Sequence, residues 1–274
     1  MGIATPESEY VLGVNDAEIA RLGLQHRAWR AWAFAAWQAA EIGPGHSVLD
    51  LGCGPGYAAM DLAELVGPQG RVVAIDKSDR FLHIVRSVAA RNHRNVTTGL
   101  VDLESSEFPH IQVDRIWCRW VLSFVRNPHD VLKKAIAALA QGGSIVLHEY
   151  FDYTTWRAAP GCVELDDFVS VVMSSWREAG GEPDIALRLP AWLEELGLDV
   201  KQARPLVHVT RPGSLLWEWL RAFVQSGRRR LVELGYLTAE RADEIWKAFE
   251  SLESARGVRM VTPAVLEIVA QQRL

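Results

Sequence analysis

The chain is 274 residues long, with 49% hydrophobic and 23% charged residues, which suits one large α/β domain with a sizeable core. A net charge of −5 argues against a nucleic-acid partner, and the basic run Arg228-Arg229-Arg230 reads as a solvated helix face. Cys53, Cys118 and Cys162 are too few and too scattered for a disulfide framework or a metal site.

Residues 1–10 lack the pattern of a signal peptide, and no apolar run is long enough to cross a bilayer. The expectation is therefore a cytoplasmic protein with no membrane partner and no metal. From residue 16 to 42 alanine and leucine dominate, Asp16 can cap and Gly43-Pro44 stops the run, which predicts a helix. Ser47-Val48-Leu49-Asp50-Leu51 is a short apolar run that breaks at glycines, as a buried parallel strand does. A turn over 52–56 leads into a helix over 58–66, a strand over 71–76 and a helix over 79–91. Strands over 96–101 and 113–117, a helix over 128–140 and a strand over 144–148 keep the alternation. This rhythm predicts right-handed βαβ units and hence an α/β fold with a doubly wound, mostly parallel sheet.

Beyond Tyr150 the rhythm is lost. Helices are expected over 164–179 and 190–196, a sixth strand over 198–206, and two helices over 215–234 and 238–252. A last strand over 258–261 and a closing helix over 263–271, with Pro263 in its first turn, complete the reading. Residues 1–42 form an N-terminal helical cap segment in this scheme. Residues 43–274 form the main domain, with a helical insertion at about 213–254 packed over the sheet. The apolar faces of such a cap suit a homodimer interface as well as internal packing.

Glycines after a strand let the backbone approach a ligand, and the helix that follows presents unpaired N–H groups. Here Gly52-x-Gly54-x-Gly56 follows Asp50, and Asp76 ends the second strand, where a carboxylate can accept from both hydroxyls of a ribose. A nicotinamide dinucleotide site spaces its glycines G-x-G-x-x-G and seats a pyrophosphate on the helix N-terminus. Asp50 would repel that pyrophosphate, yet it suits a sulfonium and an amino group.

Val48-Leu49-Asp50-Leu51-Gly52-Cys53-Gly54-Pro55-Gly56 resembles the first motif of the class I, seven-stranded, Rossmann-like S-adenosylmethionine-dependent methyltransferases of small-molecule type. Val73-Ala74-Ile75-Asp76-Lys77-Ser78 resembles their second motif, and Val101-Asp102-Leu103 their adenine-contacting segment. Asp114 to Trp120 matches the fourth strand and its lip, and Gly142-Gly143 with the strand after it the last common motif, with Gln141 where many members have proline. The specific resemblance covers about residues 43–150. It implies S-adenosylmethionine as cofactor, held by Asp50, Gly52, Gly54, Asp76, Lys77, Asp102, Leu103 and Arg119. The start of small-molecule members is similar to Tyr10-Val11-Leu12-Gly13, which adds Tyr10 and Gln25 as cofactor contacts.

Methyl transfer from a sulfonium is an in-line displacement, so the protein mainly positions the partners and excludes water. A base is needed only where the acceptor must lose a proton early. Ligands of open α/β sheets lie beyond the carboxyl ends of the strands, which puts Trp120 and His148 on the substrate side. Glu149, Tyr150, Asp152 and Tyr153 are the catalytic candidates there, with His26 a further one. The 11 tryptophans suit a flat or apolar acceptor, although most are expected to pack helix against helix. The resulting expectation is methyl transfer to a small metabolite, aromatic or apolar. Two alternatives stay open: non-methylating use of the cofactor on the same fold, such as cyclisation, and a protein acceptor.

Overall fold

The computed structural model describes residues 15–104 and 108–273. Its elements are α1 (Asp16–Ala39), β1 (Ser47–Leu51), α2 (Tyr57–Val66), β2 (Arg71–Asp76), α3 (Asp79–Arg91), β3 (Val96–Leu100), β4 (Val113–Arg119), α4 (Pro128–Ala137) and β5 (Leu139–Asp152). There follow β6 (Arg157–Ala159), α5 (Val163–Glu178), α6 (Leu189–Glu195), β7 (Leu198–Leu206), β8 (Val209–Thr210), α7 (Leu215–Glu233), α8 (Ala239–Glu253), β9 (Arg259–Val261) and β10 (Ala264–Gln272).

Among the described residues, seven strands form one sheet in the order β3-β2-β1-β4-β5-β10-β7. The pairs from β3 to β5 are parallel, and β10 runs antiparallel to both β5 and β7. This is the expected α/β sheet. Along β1 the side chains alternate: Val48 enters the apolar layer under α2 and α3, while Leu49 and Leu51 enter the opposite layer with α4 and α6. A third apolar cluster, rich in rings, joins α5, α7 and α8 to the end of β5. Full burial of Trp117, Trp156 and Phe168 stabilises these layers by roughly 1.5–3 kcal/mol each.

Three expectations change. The cap of α1 is Asn15, not Asp16: its side chain accepts from the Glu18 amide at 2.9 Å. Residues 263–271 do not form a helix. Ala264 to Ala270 are buried at every position, which a strand covered on both faces allows and a surface helix does not. This strand, β10, is the seventh of the sheet. Residues 259–261 instead pair with β6 and β8 in a separate small sheet.

Candidate functional site

A cavity opens at the carboxyl ends of β1 and β4, where the chain order of the sheet reverses and crevices form. Gly52 has φ +67°, and a Cβ there would stand 2.4 Å from Val121 Cγ2. Gly54 has φ +53°, a conformation that side chains resist. The Cys53 amide donates to the Ile75 carbonyl at 2.9 Å and ties the loop to β2. The Gly54 amide donates to Asp76 Oδ2 at 2.9 Å, and the Ser78 amide to Asp76 Oδ1 at 2.8 Å. Burial pushes the Asp76 carboxyl up, against the pull of those two amides. Lys77, Asp102 and Leu103 complete this rim, and Asp102 Oδ1 accepts from the Glu104 amide.

Asp50 and Arg119 sit deeper. Burial raises the Asp50 carboxyl to about 7, opposed by the field of Arg119. Enclosure lowers the Arg119 guanidinium to about 10, opposed first by Asp50, so it stays charged at neutral pH. Asp50 Oδ2 and Arg119 Nη1 are both shielded from solvent and meet no hydrogen-bond partner among the described residues. Unpaired buried polar atoms are costly, and here they line a cavity. One carboxylate and one guanidinium with open valences suit a zwitterion: Asp50 for its cation, Arg119 for its carboxylate.

The far end of the cavity is aromatic. Trp120 lies near-parallel to Tyr150, with centroids 5.2 Å apart, and to Trp219 at 5.7 Å. Trp29 meets the Trp120 ring edge-on at 5.3 Å. Tyr153, Trp156, Trp176 and Phe223 continue the wall. Trp120 has φ +53°, which turns the chain out of β4 and swings its ring toward this wall. Burial pushes the Tyr153 phenol far above its ordinary range, with only Arg21 pulling it back.

Of the expected site residues, Gln25, Asp50, Gly52, Gly54, Asp76, Lys77, Asp102, Leu103, Arg119, Trp120, Tyr150 and Tyr153 all line this cavity. Gln25 Oε1 accepts from Arg21 Nη1 at 3.0 Å and Trp219 Nε1 at 3.1 Å. Tyr10 falls outside the described residues. Three expected residues are placed elsewhere. Glu149 is fully buried, and its carboxylate accepts from the amides of Val121 (2.7 Å), Leu122 (2.9 Å) and Ser123 (3.3 Å) and from Ser123 Oγ (2.7 Å). It caps the short 3-10 turn Leu122–Phe124 rather than facing a ligand.

His148 lies inside the sheet, where its Nε2 is 3.1 Å from Glu267 Oε2, its direct cross-strand partner on β10. Asp152 Oδ1 accepts from the Thr154 amide and hydroxyl and so opens the turn Tyr153–Thr155. For Glu149 the cause is strand geometry, whereas His148 and Asp152 share the parity of Tyr150 and are held by the partners just named. A strand alternates its side chains, so Tyr150 reaches the cavity while Glu149 must turn to the other face. Arg21, Trp156, Trp176, Trp219 and Phe223 were not singled out by motif. The tryptophan excess was the signal that could have found three of them.

Residues 48–143 match a family model described as a methyltransferase domain. Over 123 residues the chain is 42% identical to the 2-phytyl-1,4-naphtoquinone methyltransferase of Synechococcus elongatus, covering 43% of this chain and 50% of that protein. Over 161 residues it is 25% identical to a ubiquinone/menaquinone biosynthesis C-methyltransferase of Cupriavidus taiwanensis, covering 59% of this chain and 64% of that one. The chain thus spans about half the length of the curated relatives it matches. A solved mycolic acid cyclopropane synthase has the same fold, with a TM-score of 0.61 at 15% identity over 97% of this chain and 96% of its own.

Proposed function

We propose that this chain, whose residues 48–143 match a family model described as a methyltransferase domain, transfers the methyl group of S-adenosylmethionine to a small, flat, apolar acceptor. The observation that carries this reading is the pair Asp50 and Arg119, each with a buried atom that meets no partner among the described residues, between a carboxylate rim and an aromatic chamber. Asp76 and Asp102 would hold the nucleoside, Asp50 the amino group, and Arg119 the carboxylate of the amino-acid end. Gly52 and Gly54 leave room for the backbone to approach it. Bound there, S-adenosylmethionine supplies an activated methyl group.

The chain's own residues then bind, orient and keep out water. An arriving cation would return the Asp50 carboxyl to its ionised form. Trp120, Tyr150, Trp176 and Phe223 provide a wall for a planar acceptor. Tyr153 keeps its proton, so it orients an acceptor oxygen by donating from Oη rather than by removing a proton. Glu149 is committed to backbone amides and is no longer a base in this scheme. The relatives' names, a naphthoquinone methyltransferase and a quinone-biosynthesis C-methyltransferase, agree with such an acceptor. The reading includes a small-molecule acceptor met in the cytoplasm; among the described residues no helix is long and apolar enough to cross a membrane.

Product analysis tests it. Purified protein incubated with S-adenosylmethionine and a panel of reduced naphthoquinones and phenols is expected to give S-adenosylhomocysteine and a methylated acceptor in equal amounts. Methylthioadenosine in place of S-adenosylhomocysteine would overturn methyl transfer in favour of cyclising chemistry.

A further inference from the structure

We propose that His26 of α1 and Asp61 of α2 form a positioning relay that aims Arg119 at the carboxylate of the bound donor. The proposal rests on the donor site just described. It goes further because His26, which lines the cavity, lies outside residues 48–143, the span that matches the family model.

The geometry fixes the proton positions. Arg119 Nη2 stands 3.1 Å from His26 Nδ1, and His26 Nε2 stands 2.9 Å from Asp61 Oδ2. A guanidinium can only donate, so Nδ1 must be the acceptor and the ring proton must sit on Nε2. That proton is donated to Asp61, whose carboxylate also accepts from Arg30 Nε at 2.6 Å and Arg30 Nη2 at 3.1 Å. The order is therefore Arg30, Asp61, His26, Arg119, and Nη1 of the last guanidinium, at the cavity, has no partner among the described residues. One end of Arg119 is held and the other is left for a ligand, as preorganised recognition requires.

The relay has a pH sense. The groups that face His26 are Asp61 from α2, Arg119 from the end of β4, Arg30 from its own helix through Asp61, and the Tyr57 ring stacked at 6.0 Å. Burial lowers the imidazole below its ordinary 6.5, and Arg119 adds to this, while the hydrogen bond to Asp61 opposes it. A depressed imidazole stays neutral above its ordinary value and protonates as pH falls through its folded one. Protonation puts hydrogen on Nδ1, removes the acceptor of Arg119 and sets two cations side by side.

Calorimetry with S-adenosylhomocysteine from pH 5 to 8 tests the relay. Wild type is expected to bind at pH 7.5 and to lose about tenfold in affinity on the acid side, the worth of one hydrogen bond to a charged group. His26→Asn places an amide oxygen near the former Nδ1; it should bind within about threefold of wild type at pH 7.5 and keep only the part of the acid limb that Asp50, raised to about 7, sets in every variant. His26→Ala should be about tenfold weaker than wild type at pH 7.5 and equal to it on the acid side. Equal binding by wild type and His26→Ala at pH 7.5, or equal loss there in His26→Ala and His26→Asn, would overturn the relay while leaving the donor site intact. A wild type that binds no S-adenosylhomocysteine at any pH would instead overturn the donor site itself. Should the alanine variant not fold, nitrogen NMR of wild-type imidazoles decides: a proton on Nε2 of His26 is required, and one on Nδ1 refutes the arrangement.

Discussion

The two ends of the cavity are built by different routes. At the donor end Asp50, Gly52, Gly54 and Asp76 come from one stretch of chain, residues 50–76, and backbone amides fix their geometry. At the acceptor end Trp120, Tyr150, Trp176, Trp219 and Phe223 come from a strand lip, a strand end and two helices. Only tertiary packing brings those rings together. The donor end tolerates little change in any one atom, because close backbone contacts leave no slack. The acceptor end spreads its task over many rings, each contributing a part.

The largest expected effect breaks the donor end. Gly52→Ala puts a methyl 2.4 Å from Val121 Cγ2 on a backbone at φ +67°. Denaturant unfolding should show a loss of about 2–4 kcal/mol, with S-adenosylhomocysteine binding lost as well. Unchanged stability would mean the loop is looser than its contacts imply. Next comes Glu149→Gln, which leaves an amide NH2 facing backbone donors in a fully buried place. We expect about 2–3 kcal/mol of destabilisation and little change in kcat of the folded enzyme. A kcat loss larger than about tenfold without a stability loss would return Glu149 to the chemistry. The smallest effect belongs to the aromatic end. Trp219→Phe keeps a ring while removing the donor to Gln25; acceptor KM should rise about threefold with donor affinity unchanged. A donor-affinity change of the same size would erase the division between the two ends.

This division also explains what could be read before folding. The sheet, the glycine turn and the carboxylates at 50, 76 and 102 follow from local pattern, because each depends on neighbours within a few tens of residues. Residues 264–270 suggest a helix because the segment, apolar but for Glu267, has no alternation to separate a doubly covered strand from a buried helix. Glu149 looked reactive because a carboxylate beside two tyrosines suggests a base. Its partners at 121–123 are brought near only by the parallel pairing of β4 and β5. Trp219 and Gln25, joined by one hydrogen bond, are 194 residues apart, and no periodicity connects them.

The position of β10 in the sheet has a consequence for synthesis on the ribosome. β7 pairs in the large sheet with β10 alone, and β5 has its second neighbour only in β10. Both strands emerge well before residues 264–272, with α7, α8 and β9 translated in between. Until then β5 carries an unpaired edge and β7 has no sheet to join, the kind of exposed edge on which nascent chains associate with one another. Completion of the sheet is thus deferred until its keystone strand is made. A donor loop assembled early, on β1 and β2, would wait on that late strand for the support of the strand end that carries Tyr150.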